Sequence, residues 1–349
     1  MPYSDPYNET NRKQRLEAEA ASDPRLFFNK KGNPFLGFMR FLRRVPVKKE
    51  PIDEKALLSD FSSIASDKIK EGIVVIIITI IAGVLWVLLR FNLISKDIMT
   101  VVGLFFMASL IGVTYYFKRK DKKSNRKYTL DDYKNYVIES ALSDEVEELV
   151  YEPYFGIPQS VFEDLNVMQM GNRYSSTDLI TAKYHGVYFA QTNIKIEDCD
   201  RENTVYFNGR WIIIDYPKKF SGKVTIFSKK SYGFCNTKKD KKLENIELEN
   251  TEFNKIFETS ASDQQLAYYL LTPQLMEKLR YINQSLNNAL ILCFKDGVLY
   301  VGINNIGGVF APNYEKKDLN YDINKLRSDF MLISSFIEIM KIDNNVYVG

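Results

Sequence analysis

The chain has 349 residues, of which 45% are apolar and 26% charged, and its formal net charge at pH 7 is +3. This composition excludes a largely disordered protein, and the small net charge argues against nucleic acid as a partner. The three cysteines, Cys199, Cys235 and Cys293, are odd in number and widely spaced, which excludes a disulfide framework and favours a reducing compartment.

The N-terminal residues 1–50 are predicted to form a polar arm that contains one basic amphipathic segment, residues 34–45. Wound as a helix, this segment places its apolar side chains on one arc and Arg40, Arg43 and Arg44 on the other. A helix of this kind is attracted to anionic lipid by about 1 kcal/mol per basic residue. Two interpretations stay open: the apolar arc lies in the lipid interface, or it packs on the soluble domain.

A juxtamembrane helix is predicted over residues 51–71, and two transmembrane helices are predicted over residues 72–94 and 98–117. The runs 72–89 and 98–117 contain no charged residue. A hydrocarbon core needs about 20 apolar residues of helix, and buried helices of soluble proteins rarely stay uncharged for so long. The sequence therefore predicts a transmembrane hairpin.

The charges that flank this hairpin predict its orientation. Lys118, Arg119 and Lys120 begin a basic cluster directly after the second helix, whereas the connecting loop carries only Arg90 and Lys96. Basic residues mark the cytoplasmic side, so we expect a multi-pass plasma-membrane protein with both termini in the cytoplasm. Neither uncharged run contains an ionisable residue of the kind that marks ion pathways, which favours an anchor over a transporter.

Residues 128–349 are predicted to form a cytoplasmic α+β domain. Its first helix begins at a capping box made by Thr129 and Asp132, and this helix is expected to pair with the juxtamembrane helix as a stalk. Strands are predicted at 186–198, 204–207, 210–216, 222–229, 243–249, 289–294 and 298–303, and helices at 251–258, 263–271, 273–285 and 322–341.

Two turns are predicted to close β-hairpins in this domain, Asn208-Gly209 and the Lys-Asp-Gly turn at 295–297. Because strands and helices come in blocks and do not alternate strictly, the expected fold is membrane-anchored α+β: the two-helix hairpin plus a mainly antiparallel sheet with packed helices.

The segment 250–279 combines a pair of phenylalanines, an Ala-x-x-Leu-Leu-Thr-Pro run and a Met-x-x-Leu ending. In this order it resembles the bacterial family known as domain of unknown function 3137, and the resemblance covers roughly residues 50–310. It implies a membrane-anchored cytoplasmic domain and supplies no activity or catalytic residues. The residues that carry it are interpreted as structural, with Thr272 capping a helix that begins at Pro273; they are Phe253, Phe257, Ala267, Leu271, Thr272, Pro273 and Met276.

The chemistry-bearing residues predict no catalytic, cofactor or metal site. The one histidine, His185, is typical of a turn that enters a strand, and the chain lacks the paired Cys or His of a zinc site. No phosphate-binding loop motif occurs. The lysines at 217–230 and 237–242 are interpreted as solvated loops, with contact to anionic headgroups or nucleic acid as the alternative.

From these observations the expected function is a non-enzymatic binding or scaffolding module at the inner membrane surface. Its expected partners are the lipid bilayer, with anionic headgroups, and an unidentified protein. The lipid-facing candidates are Arg40, Arg43, Arg44, Lys118, Arg119 and Lys120. The alternative is a membrane-associated enzyme that uses carboxylates or tyrosines on a substrate presented at the membrane.

Overall fold

The structure is a computed structural model, and it describes residues 52–90, 96–122, 126–200, 204–216, 220–229, 240, 242–287, 289–304 and 312–345. The predicted polar arm, with its amphipathic segment 34–45 and Arg40, Arg43 and Arg44, lies outside the described residues. Those that are described divide into two compact units. The membrane-proximal unit comprises residues up to 137 together with 312–322, and the sheet unit comprises 138–311 and the residues from 323 onward.

The membrane-proximal unit is built on a single long helix, α1 (Glu54–Arg90), which unites the predicted juxtamembrane helix and the first predicted transmembrane helix. Its N-terminal part is amphipathic and buries Leu57, Phe61 and Ala65 almost completely. Beyond residue 72 its apolar side chains are exposed instead, Ile76 by 58% and Ile80 by 61%. An apolar helix that no protein core covers fits a lipid environment.

The second helix of this unit, α2 (Lys96–Lys122), follows α1 closely in sequence, and the two helices pack against each other. By length and composition one described helix can cross a membrane, over the span Glu54–Val87, whereas the apolar stretch found within α2 is the shorter Phe106–Phe117. The structure thus supports one membrane-spanning helix, and the two-helix hairpin is not confirmed.

The predicted capping box is confirmed at the start of α3 (Leu130–Leu142). The Thr129 backbone N–H donates to Asp132 Oδ2 at 2.8 Å, and the Asp132 N–H donates to Thr129 Oγ1 at 3.2 Å. Tyr133, in the first turn of α3, stacks on Phe61 of α1 with ring centroids 3.7 Å apart. The start of α3 therefore packs beside the base of α1.

The sheet unit contains a nine-stranded sheet in which every neighbouring pair is antiparallel. The spatial order is β1-β2-β3-β4-β9-β8-β5-β7-β6. The mainly antiparallel α+β prediction is confirmed. The strands are β1 (Glu147–Glu152), β2 (Arg173–Tyr184), β3 (Val187–Asp198), β4 (Thr204–Asp215), β5 (Lys223–Ser228), β6 (Glu244–Ile246), β7 (Phe257–Ala261), β8 (Leu290–Lys295) and β9 (Val298–Asn304).

Helices cover both faces of this sheet. The helices of this unit are α4 (Gln159–Leu165), α5 (Thr251–Ile256), α6 (Gln264–Leu270), α7 (Pro273–Ser285) and α8 (Leu319–Asn345), of which α8 has its first residues in the membrane-proximal unit. On one face Phe330 of α8 packs on Phe189, with ring centroids 5.8 Å apart. On the other, Phe162 of α4 packs edge-on against Trp211 at 4.7 Å, within a cluster of buried apolar side chains.

The predicted hairpin turn at Asn208-Gly209 is wrong, because both residues lie inside the continuous strand β4. A Cβ at position 209 would overlap the carbonyl oxygen of Ile303 on β9. Gly209 therefore allows two backbones to approach closely. The turn at 295–297 is confirmed: it joins β8 to β9, with φ of 47° at Asp296 and 83° at Gly297.

The other strands and helices predicted between residues 186 and 341 are confirmed with small shifts, except that residues 257–261 form strand β7 where the helix at 251–258 was expected to continue. Asn250 caps α5 and Phe257 ends it in an extended conformation. Strands β1 and β2 were not predicted, and β2 contains an irregular register near Asp178, whose φ is 56°.

We expect Gly302→Ala to destabilise the sheet unit by about 1–3 kcal/mol, the usual cost of overpacking. The added Cβ would overlap the six-membered ring of Trp211, which is 0% exposed and lies across β9 at this point. Thermal unfolding of the full chain in detergent, followed by circular dichroism, measures the effect as a lowered Tm.

The matched control is a double-mutant cycle with Trp211→Phe, which removes the ring atoms that the new Cβ would meet. The cost of Gly302→Ala should be smaller in the Trp211→Phe background. An equal cost in both backgrounds would show that the clash with Trp211 is not the cause.

Candidate functional site

A group of polar side chains makes contacts on α1 just before its apolar half. We call this group the collar, and it consists of Ser63, Ser66 and Asp67 of α1 with Arg126 and Lys317. Arg126 donates to Asp67 Oδ2 at 2.6 Å and to Ser63 Oγ at 3.1 Å. The two charged side chains are only 11% and 19% exposed. Lys317, which is distant in sequence, donates to Ser66 Oγ at 2.8 Å.

Next to the collar, the chain that leaves α2 is pinned to α1 through its backbone. The N–H groups of Lys127 and Tyr128 donate to Asp60 Oδ2 at 2.9 and 3.0 Å. The Tyr128 hydroxyl in turn accepts from the Asp53 N–H at 2.9 Å. The end of the basic cluster is thus folded back along the base of α1, where Arg126 binds side chains of that helix.

A buried core lies below the collar, where Asp322 is fully buried. The Tyr133 hydroxyl donates to Asp322 Oδ2 at 3.1 Å, and the Asn313 N–H donates to the same carboxylate at 3.2 Å. Burial, followed by the charge of Asp322, raises the pKa of Tyr133 above its usual value, so the hydroxyl stays protonated and donates. Residues 312–322 are in this way held against α1 and α3.

Of the predicted lipid-facing residues in α2, Arg119 is exposed. Lys118 and Lys120 are its neighbours in α2, and their side chains lie outside the described part of the structure. The collar adds Lys317 to the basic residues near this end of the helices. Sequence reasoning missed Lys317 because no local pattern links it to α1.

The family-motif residues all lie in the sheet unit, and all of them except Pro273 are buried. Phe253 and Phe257 pack on each other with ring centroids 4.6 Å apart. Thr272 caps α7 by accepting from the Leu275 N–H at 3.3 Å, and Pro273 is the first residue of that helix. Ala267, Leu271 and Met276 are at most 5% exposed. The buried positions among them are therefore explained by packing.

His185 lies in the two-residue turn between β2 and β3, as its sequence context predicts. Its Nδ1 is 2.6 Å from Glu338 Oε1 of α8, and both side chains are about half exposed. Its ring stacks on Tyr184 at 4.0 Å. The contacts join a hairpin turn to a helix, and no nucleophile is among them.

Cys293 is fully buried on β8, and burial raises the pKa of its thiol to about 12 despite the nearby charges of Lys223 and Lys295. Both lysines are paired, Lys223 with Asp240 at 2.9 Å and Lys295 with Asp164. A nucleophilic cysteine needs a thiolate near neutral pH. Cys293 has the opposite environment.

The most polar buried cluster of the sheet unit surrounds Asp178, which is 7% exposed and adopts a left-handed backbone conformation. Its carboxylate accepts from the Tyr151 hydroxyl at 2.6 Å and from Asn193 Nδ2 at 3.0 Å. Its N–H donates to the Pro153 carbonyl at 3.0 Å. The cluster ties β1, β2 and β3 together at the irregular register.

A metal centre would need several ligands on one point. Within the described ranges, no three side chains of His, Cys, Asp or Glu come together as a metal site requires.

Comparison with known proteins supports the resemblance seen in the sequence. The model of the family described as "Protein of unknown function (DUF3137)" matches residues 205–342, which confirms the predicted resemblance. The match begins in β4 and reaches into α8, beyond the predicted limit near residue 310. It leaves the membrane-proximal helices outside.

A search of curated proteins gave no match. Among solved structures, the mycobacterial trehalose monomycolate transport factor A, TtfA, aligns with 57% of this chain and 93% of its own, at 9% identity and a TM-score of 0.32. A TM-score of this size does not establish a common fold.

We expect Asp67→Asn to destabilise the membrane-proximal unit by about 1–3 kcal/mol, between the values for exposed and buried ion pairs. The substitution removes the carboxylate that binds the guanidinium of Arg126, a side chain that is only 11% exposed. Thermal unfolding of the full chain in detergent measures the loss. The charge swap Asp67→Arg with Arg126→Asp should recover part of it, and no recovery would contradict a direct interaction.

In the folded protein we expect iodoacetamide not to alkylate Cys293 at pH 7 or at pH 9, because burial raises the pKa of its thiol to about 12, above both pH values. An ordinary thiol, with a pKa near 8.5, reacts faster as the pH rises through this range. The partly exposed Cys199 is the internal control, in a Cys235→Ser background. Mass spectrometry locates the label, and rapid labelling of Cys293 would contradict the buried thiol.

Proposed function

We propose that this protein is a membrane-tethered binding or scaffolding module at the inner surface of the plasma membrane. The observation that carries the proposal is the continuity of α1, which runs without a break from a packed polar base into an exposed apolar half. A helix with one end held by protein and the other suited to lipid is a tether. The sheet unit is then the part that binds a partner.

We infer further that α1 and α2 together form the transmembrane hairpin, with both termini in the cytoplasm. Residues 98–117 of α2 carry no charge, and exposed apolar side chains such as Leu104 (73%) and Ile111 (64%) support a lipid-facing surface. The basic residues after α2 outnumber those of the short connection, which supports cytoplasmic termini.

The arrangement of reactive groups supports binding over catalysis. His185 pairs with Glu338 at a hairpin turn, the Cys293 thiol is buried, and the Asp178 carboxylate is engaged by structural partners. The two edges of the sheet also disfavour assembly by strand addition, since β1 carries an irregular register with Glu147 and Glu148, and β6 is only three residues long. A partner would therefore use helix or loop surfaces.

One observation favours the alternative, a membrane-associated enzyme that uses carboxylates or tyrosines. Burial raises the pKa of the Asp215 carboxyl, at the end of β4, above its usual range, and raised carboxyl pKa values are typical of general acids. Asp215→Asn separates the two functions: it would abolish turnover by such an enzyme, whereas a binding module would retain its partner.

We expect the chain to stay in the membrane fraction after alkaline carbonate extraction, with a topology readable by an impermeant maleimide. In a Cys199→Ser, Cys235→Ser background, Asn92→Cys in the connection should be labelled in intact cells. Lys325→Cys, on the exposed side of α8, should be labelled only after lysis. Release by carbonate would disprove the tether, and labelling of Lys325→Cys in intact cells would reverse the orientation.

A further inference from the structure

Lys317 has a backbone conformation that is unusual for lysine. Its φ is 51°, in the left-handed region that non-glycine residues rarely adopt. The turn before it is fixed by Asn313, whose side chain accepts from the N–H groups of Glu315 and Lys316 at 3.0 and 2.9 Å, and the Lys317 N–H donates to the Asn313 carbonyl at 3.1 Å. A built turn therefore aims this lysine at α1.

The target of Lys317 on α1 is a hydroxyl and not a carboxylate. Its ammonium donates to Ser66 Oγ at 2.8 Å, and the Ser66 hydroxyl donates to the Ser62 carbonyl at 2.9 Å. Within the residues that the structure describes, Lys317 forms no ion pair. An ammonium has three N–H donors, and the contact with one neutral acceptor leaves two of them available for an anion.

A second cation lies one helical turn further along the same face of α1. Lys70 follows Ser66 by four residues, so both side chains lie on one side of the helix. Lys70 is exposed, and it too has no ionic partner among the described residues. The helical spacing therefore puts a second cationic side chain on the face of α1 that Lys317 contacts.

The neighbouring carboxylates are already engaged. Asp67 binds Arg126 at 2.6 Å, and Glu71 binds Lys68 at 3.4 Å. Asp318 accepts from the N–H groups of Asn320 and Tyr321 at the start of α8. The positive charge of Lys70 and Lys317 is therefore not neutralised by the acids that flank them in sequence.

Lys70 is on α1, and Lys317 contacts α1 at Ser66. The distance of Ser66 and Lys70 from the uncharged run places both lysines near the level of lipid headgroups. At about 1.5 Å per residue, Ser66 lies about 9 Å and Lys70 about 3 Å before Gly72, where the uncharged run begins. The headgroup layer on each side of a bilayer is about 5–8 Å thick. Lys70 lies inside this layer, and Ser66, which Lys317 contacts, lies just beyond it on the side away from the hydrocarbon.

We propose that Lys70 and Lys317, with Ser66 between them, bind the phosphate of an anionic phospholipid. This rests on the proposed function, because it requires α1 to cross the membrane. An anionic headgroup such as phosphatidylglycerol is favoured over a zwitterionic one, since the ammonium of a zwitterionic headgroup would repel the two lysines. The site would fix the depth and rotation of the tether as well as its lipid preference.

The test uses the full chain in detergent and counts retained lipid by native mass spectrometry during titration with phosphatidylglycerol or phosphatidylcholine. Lys317→Asn removes the ammonium, and asparagine tolerates the left-handed conformation, so the fold should persist. At about 1 kcal/mol per basic residue, Lys317→Asn and Lys70→Gln should each weaken phosphatidylglycerol binding about fivefold. Phosphatidylcholine binding should not change.

The matched control is Lys316→Gln, because Lys316 is exposed and lies over the Tyr321 ring at 3.7 Å, away from Ser66. It should bind phosphatidylglycerol like the wild type, and Lys317→Arg should retain most of the affinity. Equal binding by Lys317→Asn, Lys316→Gln and wild type would overturn the inference.

Two further measurements separate the sources of failure. Inorganic phosphate up to millimolar concentration should not displace phosphatidylglycerol; full displacement would reassign the site to free phosphate and overturn the lipid assignment. Carbonate extraction of the variants and the wild type shows whether the lipid site or the membrane tether is refuted. Membrane retention with unchanged lipid selectivity would refute only the lysine site, whereas release of the wild type would refute the tether itself.

Discussion

The structure depends on the unbroken backbone of α1. In a hydrocarbon layer each backbone N–H and C=O must be bonded within its own segment, so a membrane helix gains most from continuing past the bilayer before it ends. Here the continuation carries Phe61 and Asp67, which pack and pair with residues from α3 and from the loop after α2. The same helix therefore joins an apolar environment to a protein core in one rigid element.

This continuity gives each residue on the base of α1 a fixed height relative to its apolar half. Contacts at that base also fix the positions of residues that are distant in sequence. The hydrogen bond to Asp67 fixes Arg126 relative to α1, and the hydrogen bond to Ser66 fixes Lys317. The buried carboxylate of Asp322, held by the Tyr133 hydroxyl and the Asn313 N–H, fixes the segment that presents Lys317. The charge distribution near the membrane is thus a property of the fold and not only of the basic run after α2.

The elements that could be predicted are those with local physical causes. The capping box at Thr129 and the turn at Asp296 and Gly297 need only neighbours in sequence, and both are present. The Asn208-Gly209 pair carries the same local signal as a turn, yet the close carbonyl of Ile303 explains its glycine. That contact joins β4 to β9, which are almost a hundred residues apart. The pairing of Lys317 with Ser66 has a still longer separation, so no periodicity could indicate it.

The distribution of polar groups between the two units bears on how the chain works. In the sheet unit several buried polar side chains are tied to one another: Asp178 holds Tyr151 and Asn193, and Arg210 of β4 holds Asp329 of α8 at 3.2 Å. Such pairs satisfy buried groups and give a single register, but they leave little capacity for a reacting ligand. In the collar Asp67 is paired with Arg126, whereas the Lys317 ammonium binds a neutral hydroxyl and the Lys317 backbone is held in a left-handed conformation by the Asn313 turn. Strain of this kind persists only where the surrounding structure maintains it. The difference supports the proposed site for a charged ligand beside the apolar half of α1, where the proposed tether would meet the membrane surface.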